Sequence, residues 1–529
     1  MLRHVAILLL SWWMLCLVAG AAAADQAALI GGLEGLKSSS FPTKAEAVTR
    51  IADSASERAH AVLSALLEGR LYVLQEAVVI EANGIVFDAS SGAAVTSTDK
   101  SNLKKILINN QMRTLLRGAL ARLSLRAGDA DSRRSAVESL YGSLTDETVV
   151  LLREALGRET DDGVRSSLQT AIALADLRSP EPALRSAAIA ALASSMHSEA
   201  HSRLGAVAAD DAEPELRHAA ESAIRGIDRR RALYGIVETI FFGLSLGFVL
   251  VLAATGLAIT FGVMGVINMA HGELMMLGAY ATWGVQQLMP NHLEWSLLAA
   301  IPAAFLVAAL VGVAIERLIV SFLYGRPLET LLATFGVSLI LQQAVRTIFS
   351  PLNCAVSTPA WMSGQWIIND ALALTYNRIY IIGFSLTVFL ALVGLLRFTT
   401  LGLQVRAVAQ NRNMASAMGV RAKWIDAVTF ALGSGVAGLA GVALSQLTNV
   451  GPNLGQSHIV DSFMVVVFGG VGNLWGTLVA GLSLGIGNKL LEPYAGAVLA
   501  KIMVLIFIIL FIQKRPRGLF PQRGRAAEA

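Results

Sequence analysis

The sequence predicts an all-α chain in two parts: an exported helical N-terminal domain, then a polytopic α-helical membrane domain of eight or nine spans with broken or re-entrant helices. Three observations carry this. The chain is 54% hydrophobic and only 15% charged, whereas a soluble domain carries about 25% charge. The charge is also uneven. Before Arg231 the chain is rich in Arg, Glu, Asp and Ser, and after Tyr234 come successive apolar runs long enough to span a bilayer. The first residues, in turn, read as an export signal. The parts are predicted as 1–24 (signal peptide), 25–231 (exported domain), 232–520 (membrane domain) and 521–529 (tail). The net charge of +4 gathers at loops and the tail, which suits membrane orientation rather than the continuous basic face of a nucleic-acid binder.

In the signal segment Arg3 supplies the positive end, Val5 to Val18 the apolar core, and Ala21 to Ala24 an A-x-A cleavage site before Asp25. An uncleaved anchor is the alternative. Cys16 follows Trp13, Met14 and Leu15, which is no lipoprotein box, and cleavage leaves Cys354 alone. A lone cysteine makes no internal disulfide and fits no metal set.

In the exported domain AVVIEANGIVFDASSGAAV alternates and carries turn signals, predicting a short hairpin, and INNQMRTLLRGALARLSL returns to helix. Four alanine-rich amphipathic helices follow, each opening with arginine: Arg134, Arg165, Arg185 and Arg217. Asp162, Pro182 and Pro214 stand before three of them as start signals. The spacing is irregular, but the texture resembles HEAT-like repeats, which stack to share one apolar core. A docking surface and a plain scaffold are both open readings. There is no cluster of exposed aromatics to mark a hot spot and no nucleophile–base–acid set to suggest catalysis.

Spans are predicted near 238–263, 270–289, 295–317, 328–349, 379–397, 425–447, 459–473, 475–490 and 496–513. LMPNHLEW and TNVGPNLGQSHIVD carry no Lys or Arg and read as external. Arg317 and Arg326, then Arg397, Arg406, Arg412, Arg421 and Lys423, mark internal loops, and Lys514, Arg515, Arg517, Arg523 and Arg525 an internal C-terminus. Arg229, Arg230 and Arg231 lie on the side read as external. The export signal outranks them, because a translocated domain largely fixes its own side.

Between Ile259 and Tyr280 an apolar region reads ITFGVMGVINMAHGELMMLGAY, broken by glycines and carrying Asn268, His271 and Glu273. Such groups are expensive in hydrocarbon and survive facing a cavity or another helix. A polar turn at a membrane surface is the plainer reading. GLAITFGVMGVINMAHGELMMLGAY resembles the signature of the permease subunits of ABC importers of the branched-chain amino acid and urea type, and the resemblance extends from about Glu238 to Phe520. It implies a multi-pass permease of the bacterial inner membrane with a periplasmic N-terminal domain and a cytoplasmic C-terminus. It also implies a second permease subunit, two ATP-binding cassette subunits and a periplasmic solute-binding protein as partners, besides the lipid bilayer.

TTLGLQVRAVAQNRNMASAMGVRAKWIDAV, in the second internal loop, predicts a helix from about Gln404 to Met418 with Gly419 at the C-cap position. Gly402, Arg406, Ala407, Asn411, Ala415 and Gly419 give the spacing G-x3-R-A-x3-N-x3-A-x3-G, which resembles the family's loop motif. With Arg412, the resemblance makes them an ATPase-coupling loop in which small residues let the helix sit deep. No Gly-Lys dipeptide occurs, so there is no P-loop and the chain cannot hydrolyse ATP by itself. Neither enzyme, cofactor nor metal site is predicted.

Charged residues within spans are scarce and near ends: Glu238, Glu316, Lys489 and Lys501. That argues against an ion-coupled carrier. The neutral polar groups are Thr260, Asn268, Gln342, Gln343, Ser434, Ser445 and Gln446, and Asn268, His271, Glu273, Gln342 and Gln446 are the candidate pathway residues. Such a lining suits a small uncharged amide-like solute, although each group can instead bond a neighbouring helix. The long exported domain and ETLLATFGVSLILQQAVRTIFSP resemble the urea branch of the family, with branched-chain amino acids or short amides as the alternative cargo. A membrane-anchored sensor is the reading from another class. No output domain follows Arg515.

Overall fold

The computed structural model describes residues 26–520 apart from 55, 57, 83, 84, 96–102 and 126–128. The signal segment with Cys16 and the tail 521–529 lie outside the described residues. The chain forms two compact units, Met1–Arg230 and Arg231–Ala529.

In the first unit a helix over 26–36 (α1), α2 (Phe41–Asp53), α3 (Ala59–Leu67) and α4 (Asn110–Ser124) enclose a core that includes Leu36, Val48, Ile51, Leu63 and Leu116. Asn109 caps α4 by accepting the Met112 N–H at 2.8 Å. The predicted hairpin is present as β2 (Ala77–Ala82) and β3 (Ile85–Asp88), with Val79 opposite Asp88. It is extended by β1 (Leu71–Leu74) and β4 (Lys104–Lys105) into an antiparallel sheet of order β3-β2-β1-β4. This sheet is a small addition to a mostly helical chain.

From residue 129 the unit is built twice. α5 (Ala130–Ser139), α6 (Asp146–Arg158) and α7 (Asp162–Asp176) are followed by α8 (Pro182–Leu192), α9 (Ser198–Asp210) and α10 (Pro214–Met264), and each helix of the second set starts 52 residues after its counterpart. The buried positions repeat with the helices. Val137, Leu140, Leu152 and Val164 correspond to Ile189, Leu192, Leu204 and Leu216, all in one core. The polar bracing repeats too. Arg133 Nε meets Glu159 Oε2 at 2.8 Å, and Arg185 Nε meets Asp211 Oδ2 at 3.0 Å. Each acid stands just after the second helix of its set and also accepts backbone N–H groups of the following turn, Thr160 and Asp161 in one copy and Glu213 in the other. The Arg-led spacing that looks irregular as one series is regular as pairs, Arg133 with Arg185 and Arg165 with Arg217. Arg134 stands one residue out of register. The cap of α7 is likewise Asp161, which accepts the Val164 N–H at 3.0 Å, and not Asp162.

One acid-limb effect follows. The hydrogen bond from Arg133 is the largest influence lowering the Glu159 pKa, from 4.5 to about 2, with the Asp161 N–H next. A carboxylate depressed on folding contributes stability that is complete above its unfolded value and is lost as pH falls through the folded one. Hydrogen-exchange protection of residues 146–176 is therefore expected to fall between about pH 4.5 and pH 2. In Glu159→Gln it should be lower at pH 7 and nearly flat across that window; an unchanged acid limb in the variant would refute the assignment.

In the second unit, six helices among the described residues are long and apolar enough to cross a bilayer: α10, α12 (Leu293–Leu318), α13 (Pro327–Ile348), α14 (Tyr376–Phe398), α17 (Ala422–Ser445) and α19 (Leu474–Lys514). α11 (His271–Leu288) is not among them, and α18 (Leu454–Gly469) is shorter. The runs 475–490 and 496–513 are present as the two arms of α19, which reverses at Gly496 (φ 77°), three residues after Pro493, so that the Leu519 N–H returns to Phe468 O and the Phe520 N–H to Gly469 O. One correction to the predicted spans follows. The run 459–473 belongs to α18, which begins at Leu454 and ends where Gly470 turns to φ 103°. Between the spans lie α15 (Thr400–Gln410), α16 (Arg412–Ala417) and a hairpin of β5 (Gln365–Asn369) and β6 (Leu372–Thr375).

α17 is the centre of this unit, buried along nearly its whole length. It is approached by α10, α11 and α12 at positions with little or no side chain. A β-carbon on Gly278 would run into the backbone of Gly438, one on Gly433 would meet Gly256 O, and one on Gly441 would meet Met275 O. With lipid as apolar as any side chain, close backbone packing through small residues supplies what the hydrophobic effect supplies in water.

Candidate functional site

Residues 265–270, between α10 and α11, are non-helical and open with Gly265 at φ 67°. Glycine takes that conformation without a steric penalty. Asn268 is fully buried, and its Oδ1 accepts the Ala270 N–H at 3.0 Å, closing the turn into α11. His271 donates from Nε2 to Ala253 O of α10 at 2.8 Å. Glu273 Oε1 accepts from Ser338 Oγ at 2.9 Å and Gln342 Nε2 at 2.8 Å. Thr334 Oγ1 accepts the Met269 N–H at 3.1 Å. Thr334, Ser338 and Gln342 lie four residues apart on one face of α13, so that face is laid against the break. Thr334 and Ser338 were not among the predicted residues, though their i, i+4 spacing with Gln342 was readable.

Three buried polar atoms here have no partner among the described residues: Asn268 Nδ2, His271 Nδ1 and Glu273 Oε2. Groups left unsatisfied in a buried position call for a ligand, water or conformational change. With Nε2 as donor, the imidazole presents Nδ1 as an acceptor. The break thus offers one amide donor, one imidazole acceptor and one carboxylate oxygen.

The other predicted polar residues are engaged differently. Gln446 follows the end of α17, donates to Ser445 Oγ at 3.3 Å and shares no hydrogen bond with the break. Thr260 and Ser445 bond carbonyls of their own helices, Gly256 and Leu257 in one case and Val442 in the other. Gln343 is exposed beside Gln342.

The loop 399–421 is not the single helix expected from Gln404 to Met418. Asn411 takes an extended conformation (φ −157°, ψ 100°) and splits it into α15 and α16, its side chain capping α16 through the Met414 N–H at 2.9 Å. Asn strongly favours that N-cap position. Gly419, at φ 91°, closes α16: its N–H bonds Ser416 O and that of Val420 bonds Ala415 O, both at 3.0 Å, the pairing of a Schellman cap. Gly402 lets α15 lie on the end of α14, where a β-carbon would enter the Leu396 backbone. Arg406 is exposed and bonds Leu396 O, and Ala407 is half-buried. Ala415 faces inward, in a cluster with Val405, Val408, Ala422 and Ile425. It is therefore not a groove-facing small residue. The outward face carries Leu403, Met414 and Met418, at 61, 62 and 79% exposure.

Arg412 pairs with Asp426, a fully buried acid on α17, and lies 4.5 Å over the Tyr324 ring. Burial, with nearby acids, holds the Tyr324 phenol above its usual range. It stays protonated and donates to Glu316 Oε1 at 3.3 Å. Asp426 and Tyr324 were missed because the first reads alone as an interfacial residue at a span end and the second as a loop residue between two spans.

Comparison with known proteins concerns the membrane unit as a whole. Residues 239–512 match the family model described as branched-chain amino acid transport system / permease component. The chain is similar to the high-affinity branched-chain amino acid transport system permease protein LivH of Escherichia coli (strain K12), 29% identical over 293 residues, which is 54% of this chain and 94% of the relative. The same protein of Salmonella typhimurium gives the same identity and coverage. BraD of Pseudomonas aeruginosa, a permease protein of the same description, is 27% identical over 297 residues, 54% of this chain and 96% of the relative. No solved structure matches.

Proposed function

We propose a function that starts from one premise: the chain belongs to the family of permease components of branched-chain amino acid transport systems. It is a membrane transport subunit and not an enzyme. In our reading it is the permease of an ATP-driven ABC importer, paired with a second permease subunit and two ATP-binding cassette subunits and served by a periplasmic solute-binding protein. Its N-terminal unit would lie in the periplasm and its C-terminus in the cytoplasm. The repeat unit would be the surface that meets the binding protein.

The cargo reading rests on the family match and its relatives, which favour branched-chain amino acids over urea. The unpaired carboxylate oxygen of Glu273 suits the ammonium group of an amino acid better than a neutral amide. Urea remains the second reading for one reason. The matched region covers nearly all of each relative but about half of this chain, leaving the repeat unit without a counterpart in them. Isotopic uptake of leucine and of urea, in cells lacking and then regaining this chain, separates the two. Restored leucine uptake without urea uptake is expected, and the reverse result overturns the choice.

The coupling loop is read as the ATPase docking surface because it exposes Leu403, Met414 and Met418 beside charged groups. Two methionines four residues apart give an adaptable apolar face. Met418→Asp is expected to cut co-purification of the ATPase subunits at least fivefold and uptake with it, the membrane unit remaining folded. Full co-purification of that variant would refute docking at α16.

A further inference from the structure

We propose that Asp426, Tyr324 and Glu316 are positioning residues that carry displacement of α16 into two membrane helices, α17 and α12, with Arg412 as the hub. The inference rests on the docking reading above and adds the route by which docking is felt inside the membrane.

α16 has six residues and cannot hold its own position. Two attachments hold it. One is apolar, Ala415 in the small cluster with Val405, Val408, Ala422 and Ile425, and it joins α16 to α15 and the first turn of α17. The other is polar and reaches further. Arg412, the first residue of α16, makes an ion pair with Asp426, whose side chain is fully enclosed one turn into α17. The face of the same guanidinium lies 4.5 Å from the centre of the Tyr324 ring. The Tyr324 hydroxyl donates to Glu316 on α12, a carboxylate that is 1% exposed and also lies 3.5 Å from Arg317. One side chain thus holds α17 directly and α12 by way of Tyr324, and the two helices already touch where Gly312 meets Ser434.

The choice of residue fits that task. A planar guanidinium can bond a carboxylate with its edge while its face rests on an aromatic ring, which a lysine ammonium cannot do in the same way. Movement of α16 is resisted at both contacts at once, because the acids at the far ends are buried and a buried charge that loses its partner is costly. α17 is also the helix that α10, α11 and α12 pack against, so a pull at Asp426 reaches the helices flanking the break at 265–270.

The test uses the full transporter, reconstituted with its ATPase subunits and binding protein, and measures cargo taken up per ATP hydrolysed. Asp426→Asn removes the ion pair, Arg412→Lys keeps the charge and loses the stacked fork, and Tyr324→Phe keeps the ring and removes only the hydroxyl. The ATPase subunits are expected to co-purify with all three variants at the wild-type ratio. Uptake per ATP should fall at least fivefold in Asp426→Asn and Arg412→Lys, and about twofold in Tyr324→Phe. A structural role alone would lower yield and leave the ratio unchanged in whatever protein survives. If Asp426→Asn does not fold, Tyr324→Phe decides by itself. An unchanged uptake-to-ATP ratio in the folded variants overturns the route. Failure of docking itself is read separately, from co-purification with Met418→Asp.

Discussion

Gly278→Ala is expected to prevent the membrane unit from folding, whereas Gly284→Ala, six residues along the same helix, is expected to be tolerated. The added β-carbon at 278 would lie inside contact distance of three backbone atoms of Gly438, on the helix at the centre of the unit. A backbone cannot swing aside as a side-chain end can. Relief requires α11 to move away from α17, and that opens the contact between Gly441 and Met275 as well. Overpacking in a core costs about 1–3 kcal/mol where side chains can adjust, and occasionally more; here nothing flexible adjusts, so the upper end or beyond is expected. At Gly284 nothing stands within 4 Å, and alanine gains up to about 1 kcal/mol in helix propensity. Thermal unfolding followed by size exclusion of the detergent-solubilised chain measures both. Equal melting temperatures would mean that the α11–α17 contact is looser than described.

Asn268→Leu is expected to reduce uptake at least tenfold while leaving most of the protein inserted and assembled. The variant keeps the branched four-atom skeleton, with somewhat greater bulk, and removes both functions of the amide. Its carbonyl oxygen no longer accepts the Ala270 N–H, a buried donor whose loss of a partner costs about 1–3 kcal/mol. Its free Nδ2 no longer faces the break. The first loss loosens the turn into α11, and the second removes a donor from the candidate pathway. Uptake at the wild-type rate with normal assembly would make this segment a plain turn between two helices.

The break was legible because glycine and uncompensated polar residues inside an apolar run have few explanations. What sequence could not supply was the partner face, since Thr334 and Ser338 on α13 look like ordinary small polar residues until α13 is known to lie against α11. The loop shows the opposite error. A small residue such as Ala415 suggests a helix that sits deep against a partner, but smallness is also what permits burial against Val405 and Val408. The extended Asn411 could have been anticipated, since an Asn three residues before Met414 is a capping signal, yet the alanine-rich flanks suggested one continuous helix. In the repeat unit the series was anchored on Arg134, whereas the bracing arginine of that copy is Arg133. A one-residue offset was enough to hide a regular period in a degenerate sequence.

That period gives the N-terminal unit a modular length. Each copy closes its own arginine–acid brace and shares its core with its neighbour, so stability is set by nearest neighbours. A chain given another copy of residues 129–180 after Pro180 would keep every brace and every capped turn in register. An insertion of 20 or 30 residues inside a copy, between Arg133 and Glu159, would part the brace instead. The distance this unit spans can therefore be lengthened only in whole steps, as a ruler is extended by adding divisions and not by stretching them.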